Sequence, residues 1–504
     1  MKTNRLKVVG CLVVFTTLTY SCKESFLDLS DPTAKDSENF YKTQTQVEQA
    51  VNGVYSQLQD ITNSQYLFAE MSSDNTTIQL NASDRGQVDR AEAFEFWNVT
   101  ATNVNIADYY NQAYNTLYNI NTVLSKLDQT DIQEEKKMQF KGELLFMRAY
   151  HYFLLVQYFG DVILLTEPLQ DASEAFALAR TPAADVYNQI ILDLEEAGAS
   201  LPLKSKYTAN DVGRVSKGAA LSLLGKVYLT NKQYAEASLV LEQVLDMGYD
   251  LLVDYADVFD PTNKNHSESI FEVQYQGGNN LGEWSSFIYS FAPRDSEGAV
   301  TGFPTSRPQG WNIPTNNIIK AFDQQDKRKN IALKEGYTNA KGDYIAIPYV
   351  NKYNHPHTIV GRTDDNWPIL RFADVLLMLS ESINEQSGPD KAYAHINRVR
   401  QRAGLDNLQG LSKDGFRDAV MQERRVELAF ENHRWFDLKR SLSSAELVQR
   451  LNEHGLQERE SPTVSRGNVP FSAADYKFEA YEALFPIPDR QIFLSKQLEQ
   501  NKGY

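Results

Sequence analysis

The chain has 504 residues, is 42% hydrophobic and 23% charged, and carries a formal net charge of −16. This length and balance fit a globular protein and exclude a disordered or fibrous one. The acidic excess argues against nucleic acid or an anionic membrane surface as partner.

The N-terminus reads as a targeting segment over residues 1–21. Lys2, Arg5 and Lys7 precede a largely apolar run, residues 8–20, that is short of the roughly 20 residues needed to cross a bilayer. Ser21 followed by Cys22 is similar to a lipoprotein processing site. Cys11 would leave with the signal and Cys22 would be acylated, so the mature chain would hold no other thiol. Stable anchoring takes more than one acyl chain, and a bacterial lipoprotein cysteine carries several. Residues 22–44, with Pro32 favouring extended backbone, read as a lipidated tether.

Residues 45–59 show helical spacing in Val47, Val51, Val54 and Leu58. Residues 60–105 lose that period, are rich in Ser, Asn, Asp and Thr, and read as loops with short strands. Helices are expected over 106–127, 134–159 and 185–199, the last with Thr181 as cap and Pro182 in its first turn. Within 218–248, Leu224, Gly225, Tyr228, Ala237 and Leu241 fall at offsets resembling the tetratricopeptide pattern. A second copy, with Leu379, Ser380, Ala392, Ile396 and Val399, occupies 372–404. Two such copies imply helical pairs stacked into one scaffold around an insertion, residues 250–366. The predicted fold class is therefore all-α, with tetratricopeptide-like helical pairs and a loop-rich insertion containing short strands such as 270–275. Residues 277–314 hold six of the 26 Gly and four of the 17 Pro, which rules out regular helix there.

Near the C-terminus, Glu423, Glu427 and Glu431 repeat at i+4 on one helical face. Such stacking needs cations between the carboxylates, for which Arg424, Arg425 and Arg434 are the nearest candidates. Trp435 and Phe436 demand burial and carry these charges into dry surroundings. A structural network fits this better than an acid–base pair, because clustered ion pairs need not catalyse anything.

The wording of that stretch resembles the ERR-x-E-L-x-F-E-x-x-R-W-F-D-L-x-R signature of the SusD/RagB family. The strip from Leu484 to Ile492, the ending Gln500-Asn501-Lys502-Gly503-Tyr504, and Phe26-Leu27-Asp28 after the cysteine are similar to that family as well. The resemblance implies one SusD-like domain over 45–504: helical scaffold at 45–249 and 367–440, ligand-binding insertion at 250–366, and C-terminal segment at 441–504. It further implies a cell-surface lipoprotein of the outer membrane that binds an oligosaccharide or polysaccharide and delivers it to a SusC-like TonB-dependent transporter. Relatives of the RagB type imply peptide as the alternative ligand.

No phosphate loop or nucleophile elbow is present in the sequence, and no catalytic residue, metal site or cofactor is expected. His355 and His357 read as exposed loop residues, and His151, amid Tyr150, Tyr152 and Phe153, as a core histidine. Competing functions are an exported glycoside hydrolase and a protein-binding helical scaffold. A sugar presents an apolar C–H face and a hydroxyl rim, so its site needs flat aromatics beside fixed polar groups. Loops on a rigid scaffold are the place to seek them. The candidates are Trp311, Trp284 and Trp97, with Tyr289, and Asn280, Arg294, Arg307 and Asp74 as hydrogen-bonding groups. Trp367 and Trp435 read as core.

Overall fold

The structure, a computed structural model, describes residues 40–81, 85–169, 171, 173–278 and 282–504. The expected signal, Cys22, most of the tether and Asn280 lie outside these residues. The fold is mainly helical, and its few strands form four two-stranded sheets among the described residues.

The first helix, α1 (Gln44–Ala69), opens in a capping box between Thr43 and Gln46. It runs on past residue 59 because Leu58, Ile61, Gln65 and Phe68 continue one buried stripe at helical spacing. Strand β1 (Thr76–Thr77) and helix α2 (Arg85–Glu95) follow. Much of 60–105, expected as loop, is thus helical: polar residues such as Asp60 and Asn63 sit on the outer face and mask the period. Helices α3 (Val104–Leu127) and α4 (Glu134–Phe159) match their expected spans closely. Every residue of α4 from Gly142 onward is buried, which makes it the central helix of the scaffold. Within it His151 is 1% exposed, with Nδ1 2.7 Å from the Met147 carbonyl. Helix α5 (Ala183–Ser200) is not capped by Thr181. The Thr181 backbone pairs instead with Val162, and the Asp161 carboxylate accepts from Ala183 N at 2.8 Å.

Helices α6 (Lys217–Thr230) and α7 (Tyr234–Leu245) form the first tetratricopeptide-like pair. A Cβ at Gly225 would lie 2.5 Å from Leu241 side-chain carbons, so the small residue sets how closely the pair approaches. The insertion then supplies β2 (Ser269–Val273), short helices α8 (Phe287–Phe291) and α9 (Gly298–Thr301), β3 (Ile313–Pro314) and α10 (Asn316–Ala321). The two short helices correct the expectation of no helix within 277–314: a single turn fits between its Gly and Pro residues. The chain continues through α11 (Lys329–Ala332), β4 (Leu333–Lys334), β5 (Tyr337–Thr338), β6 (Tyr344–Ile345), β7 (Tyr349–Val350) and β8 (Trp367–Arg371). Antiparallel pairing of β2 with β8 closes the base of the insertion and buries Trp367. Helix α12 (Phe372–Ser387) follows directly and packs on α7, so the second helical pair, α12 with α13 (Tyr393–Arg402), stacks on the first. Helices α14 (Lys413–Glu427), α15 (Arg434–Ser441), α16 (Ser444–Glu460) and α17 (Asp489–Leu494) complete the fold.

Phe430 and Asn432 adopt left-handed backbone (φ 64° and 65°) and break the chain between α14 and α15. Glu423, Glu427 and Glu431 are all buried, but the cations between them come from elsewhere. Glu427 accepts from Arg328 (2.8 Å), Arg371 (2.5 Å) and Arg402 (2.5 Å). Glu431 pairs with Lys352 and Arg371, and Glu423 with Arg328 and Arg400. The expected cations face other partners: Arg424 meets Asp374 and Asp437, while Arg425 and Arg434 meet Asp74. Helical geometry explains the correction. Side chains adjacent in sequence point to different faces, so Arg424 and Arg425 diverge from the glutamate row. Burial would raise the Glu427 carboxyl, yet Arg402, Arg371 and Arg328 hold it well below the usual range.

Candidate functional site: an aromatic loop cluster

The insertion gathers its candidates by backbone pairing. Residues 309–311 run beside 289–292: Gln309 N donates to the Tyr289 carbonyl (2.8 Å), Trp311 N to Ser290 (2.8 Å) and Gly310 N to Ala292 (3.0 Å). Gly310 has φ +68°, and a Cβ there would sit 2.8 Å from Gln79 and 2.9 Å from Arg294. Glycine alone satisfies both the conformation and the approach. Gln79 clips the cluster to the scaffold, since its N–H donates to the Gly310 carbonyl (2.7 Å) and its side-chain oxygen accepts from Arg294 N (2.8 Å). The β1–β3 pairing extends that seam, with Thr77 opposite Ile313 and Thr76 opposite Pro314.

The backbones of Tyr289, Arg294, Arg307 and Trp311 are therefore brought into one loop region, with the Trp311 ring against the main core and the Tyr289 ring against a separate small apolar cluster. Trp311, Tyr289 and Arg294 are half-buried, and Arg307 is exposed. Trp284 stands on the neighbouring strand-like segment, where Ser285 and Thr363 exchange backbone hydrogen bonds of 3.0 and 2.8 Å. The Arg362 guanidinium lies 4.0 Å from the Trp284 ring centre, a cation–π stack that leaves the indole half-buried. A groove of about 560 Å³ beside it is lined by Gln59, Lys264, Gln274, Tyr275, Glu283 and Asp364.

Two candidates face inward instead. Trp97 is 4% exposed, donates from Nε1 to the Ser72 carbonyl (2.9 Å) and packs edge-on against Tyr476 and Phe478. Asp74 is fully buried and binds Arg434 through both oxygens at 2.7 and 2.9 Å. Burial would raise its carboxyl, but Arg425 and Arg434 hold it well below the usual range. Loop position does not reveal these interior roles, because the rings that enclose Trp97 and the guanidinium that pairs with Asp74 come from more than 300 residues away in sequence.

Two further residues join the cluster. The His357 ring lies 4.9 Å from Phe303, and its Nε2 is 2.6 Å from the Tyr289 hydroxyl. His355 sits 2.5 Å from the buried Asp365 carboxylate. Both histidines are half-buried rather than exposed, because the 355–365 loop folds back on the Ser285 segment. A histidine flanking Pro356 carries no local signal of such contacts.

A stacked helical-repeat scaffold carrying a loop-rich insertion defines the class: a mainly α-helical protein with few short strands. Residues 327–504 match the model of the SusD family, and residues 25–229 match a family described as starch-binding and associating with the outer membrane. SusD-like protein P25 of Formosa agariphila is 30% identical across 98% of this chain and 99% of its own length. A SusD-like protein of Bacteroides ovatus is 25% identical across 87% of this chain and 82% of its own. A solved SusD homolog from Bacteroides thetaiotaomicron superposes with TM-score 0.78 at 22% identity, covering 93% of this chain and 98% of that one. A solved laminarin-binding SusD-like protein gives TM-score 0.75 at 26% identity, covering 92% and 100%. The chain belongs to the SusD family.

Proposed function

We propose that this protein is a cell-surface lipoprotein that captures a glycan and passes it to a SusC-like TonB-dependent transporter of the outer membrane. It acts by binding rather than by catalysis. The supporting observation is the pairing of 309–311 with 289–292, which sets Tyr289 and Trp311 beside Arg294 and Arg307 on a family scaffold. Half-buried rings offer flat apolar faces to sugar C–H groups, and the guanidiniums offer donors to hydroxyl oxygens. Trp284 belongs to the same proposed surface, with the 560 Å³ groove beside it giving room for further sugar units, and Asn280 is kept as a proposed hydrogen-bonding residue for the ligand. Trp97 and Asp74 are left to the interior. Residues 22–44 form the tether, lipidated at Cys22, and 45–504 form one domain.

The family description as starch-binding and the laminarin-binding neighbour both favour glycan over peptide. A glycan array including laminarin and starch tests the reading. Binding to at least one glycan, and co-purification with a TonB-dependent barrel from outer membranes, are expected. A dark array together with binding to a peptide library would overturn it.

A further inference from the structure

The hydrogen bonds around His357 have only one consistent direction. Its Nδ1 is 2.9 Å from the His355 carbonyl, which can only accept. Neutral His357 therefore carries its proton on Nδ1, and Nε2 is left as an acceptor. The Tyr289 hydroxyl, 2.6 Å from that Nε2, must then donate to it. The Tyr289 oxygen thus keeps only lone-pair capacity for anything else it meets.

We infer that His357 is a specificity-determining residue: by taking the Tyr289 proton, it makes the Tyr289 oxygen an obligate acceptor toward the ligand, so the site selects a sugar that presents a hydroxyl donor there. The inference rests on the reading of the loop cluster as a glycan platform. Phe303, tilted 39° against the imidazole at 4.9 Å, holds the ring in plane to receive the bond. The His355–Asp365 pair fixes the segment that supplies the carbonyl. A tyrosine free to rotate its proton would accept or donate equally, and would not discriminate a hydroxyl donor from an ether or carboxylate oxygen.

Two measurements test this on the full mature chain. Long-range proton–nitrogen correlation spectra with labelled histidine, assigned by His357→Gln, report the tautomer without any ligand. The Nδ1–H form is expected, with the Nε2 resonance shifting in Tyr289→Phe. An Nε2–H form, or a resonance indifferent to Tyr289→Phe, overturns the inference. On the same glycan array, Tyr289→Phe and His357→Phe should each weaken binding by about tenfold, the scale of one hydrogen bond. His357→Gln, whose amide oxygen can still accept, should restore most of it. Wild-type binding in a folded His357→Phe protein overturns the inference, as does a His357→Gln protein no better than His357→Phe. If the wild type lights no glycan, the proposed function fails, whereas the tautomer spectrum still decides the direction of the bond.

Discussion

Replacing Glu427 by Ala should be among the most destabilising single changes in the molecule. The carboxylate is fully buried and accepts from three guanidiniums, Arg328, Arg371 and Arg402, at 2.5 to 2.8 Å. Five cations, Arg328, Lys352, Arg371, Arg400 and Arg402, balance five carboxylates, Asp326, Glu268, Glu423, Glu427 and Glu431, in this network. The variant leaves one uncompensated positive charge in a dry interior. Two unit charges about 4 Å apart interact by about 4 kcal/mol at an effective dielectric near 20. Removing one partner of a buried pair costs about 3–5 kcal/mol, so a loss of about 4 kcal/mol is expected. Urea unfolding followed by circular dichroism measures it, with Glu427→Gln as the shape-preserving control that also loses the charge. A second substitution, Lys352→Met, restores neutrality and should recover part of the loss in a double-mutant cycle. Single variants within about 1 kcal/mol of wild type would refute the claim that this network fixes the docking of α14.

Other expectations follow from separate features. Cys22→Ala should release the protein from the outer membrane, and labelling cells with a radioactive fatty acid should mark the wild type only; equal label in both would remove the anchor. Burial pushes the Glu95 carboxyl up to about 8 despite hydrogen bonds from Thr77 and Tyr476. The folded state therefore holds a proton that the unfolded chain releases, so this stabilisation is present at low pH and lost as pH rises toward 8. Denaturation of Glu95→Gln at pH 5 and pH 8 should show the variant gaining on wild type at up to about 1.4 kcal/mol per pH unit; a gap independent of pH would contradict the shift. Gly225→Val, which would press a side chain into Leu241, should destabilise by about 1–3 kcal/mol through overpacking; unchanged urea unfolding would mean the pair has slack.

Much of the scaffold is legible in sequence because its signals are local. The span of α4 follows from its own apolar run after Glu134 and Glu135, and the tetratricopeptide offsets identify Gly225 before any contact is seen. What local patterns cannot give is partnership. The burial of Glu427 is readable from Trp435 and Phe436, but its partners Arg328 and Arg371 lie in other elements, beyond the reach of any local pattern. The loop candidates divide the same way. Tyr289, Arg294, Arg307 and Trp311 share a composition-marked stretch and are found together. Trp97 and Asp74, picked from a polar segment, turn inward because α1, β1 and the C-terminal helices close over them. Phe303 goes unmarked and His357 reads as exposed because the fold, not the sequence, brings His357 to Tyr289 and Phe303 to His357.

The most direct test of the account is a calorimetric titration of the folded mature protein with its array-selected glycan, repeated with Trp311→Ala. One aromatic face against a sugar contributes about 1–3 kcal/mol, so the variant should bind about five- to 150-fold more weakly while still folding. Equal affinity in a folded Trp311→Ala protein would place the ligand elsewhere and contradict the assignment of the loop cluster as its platform.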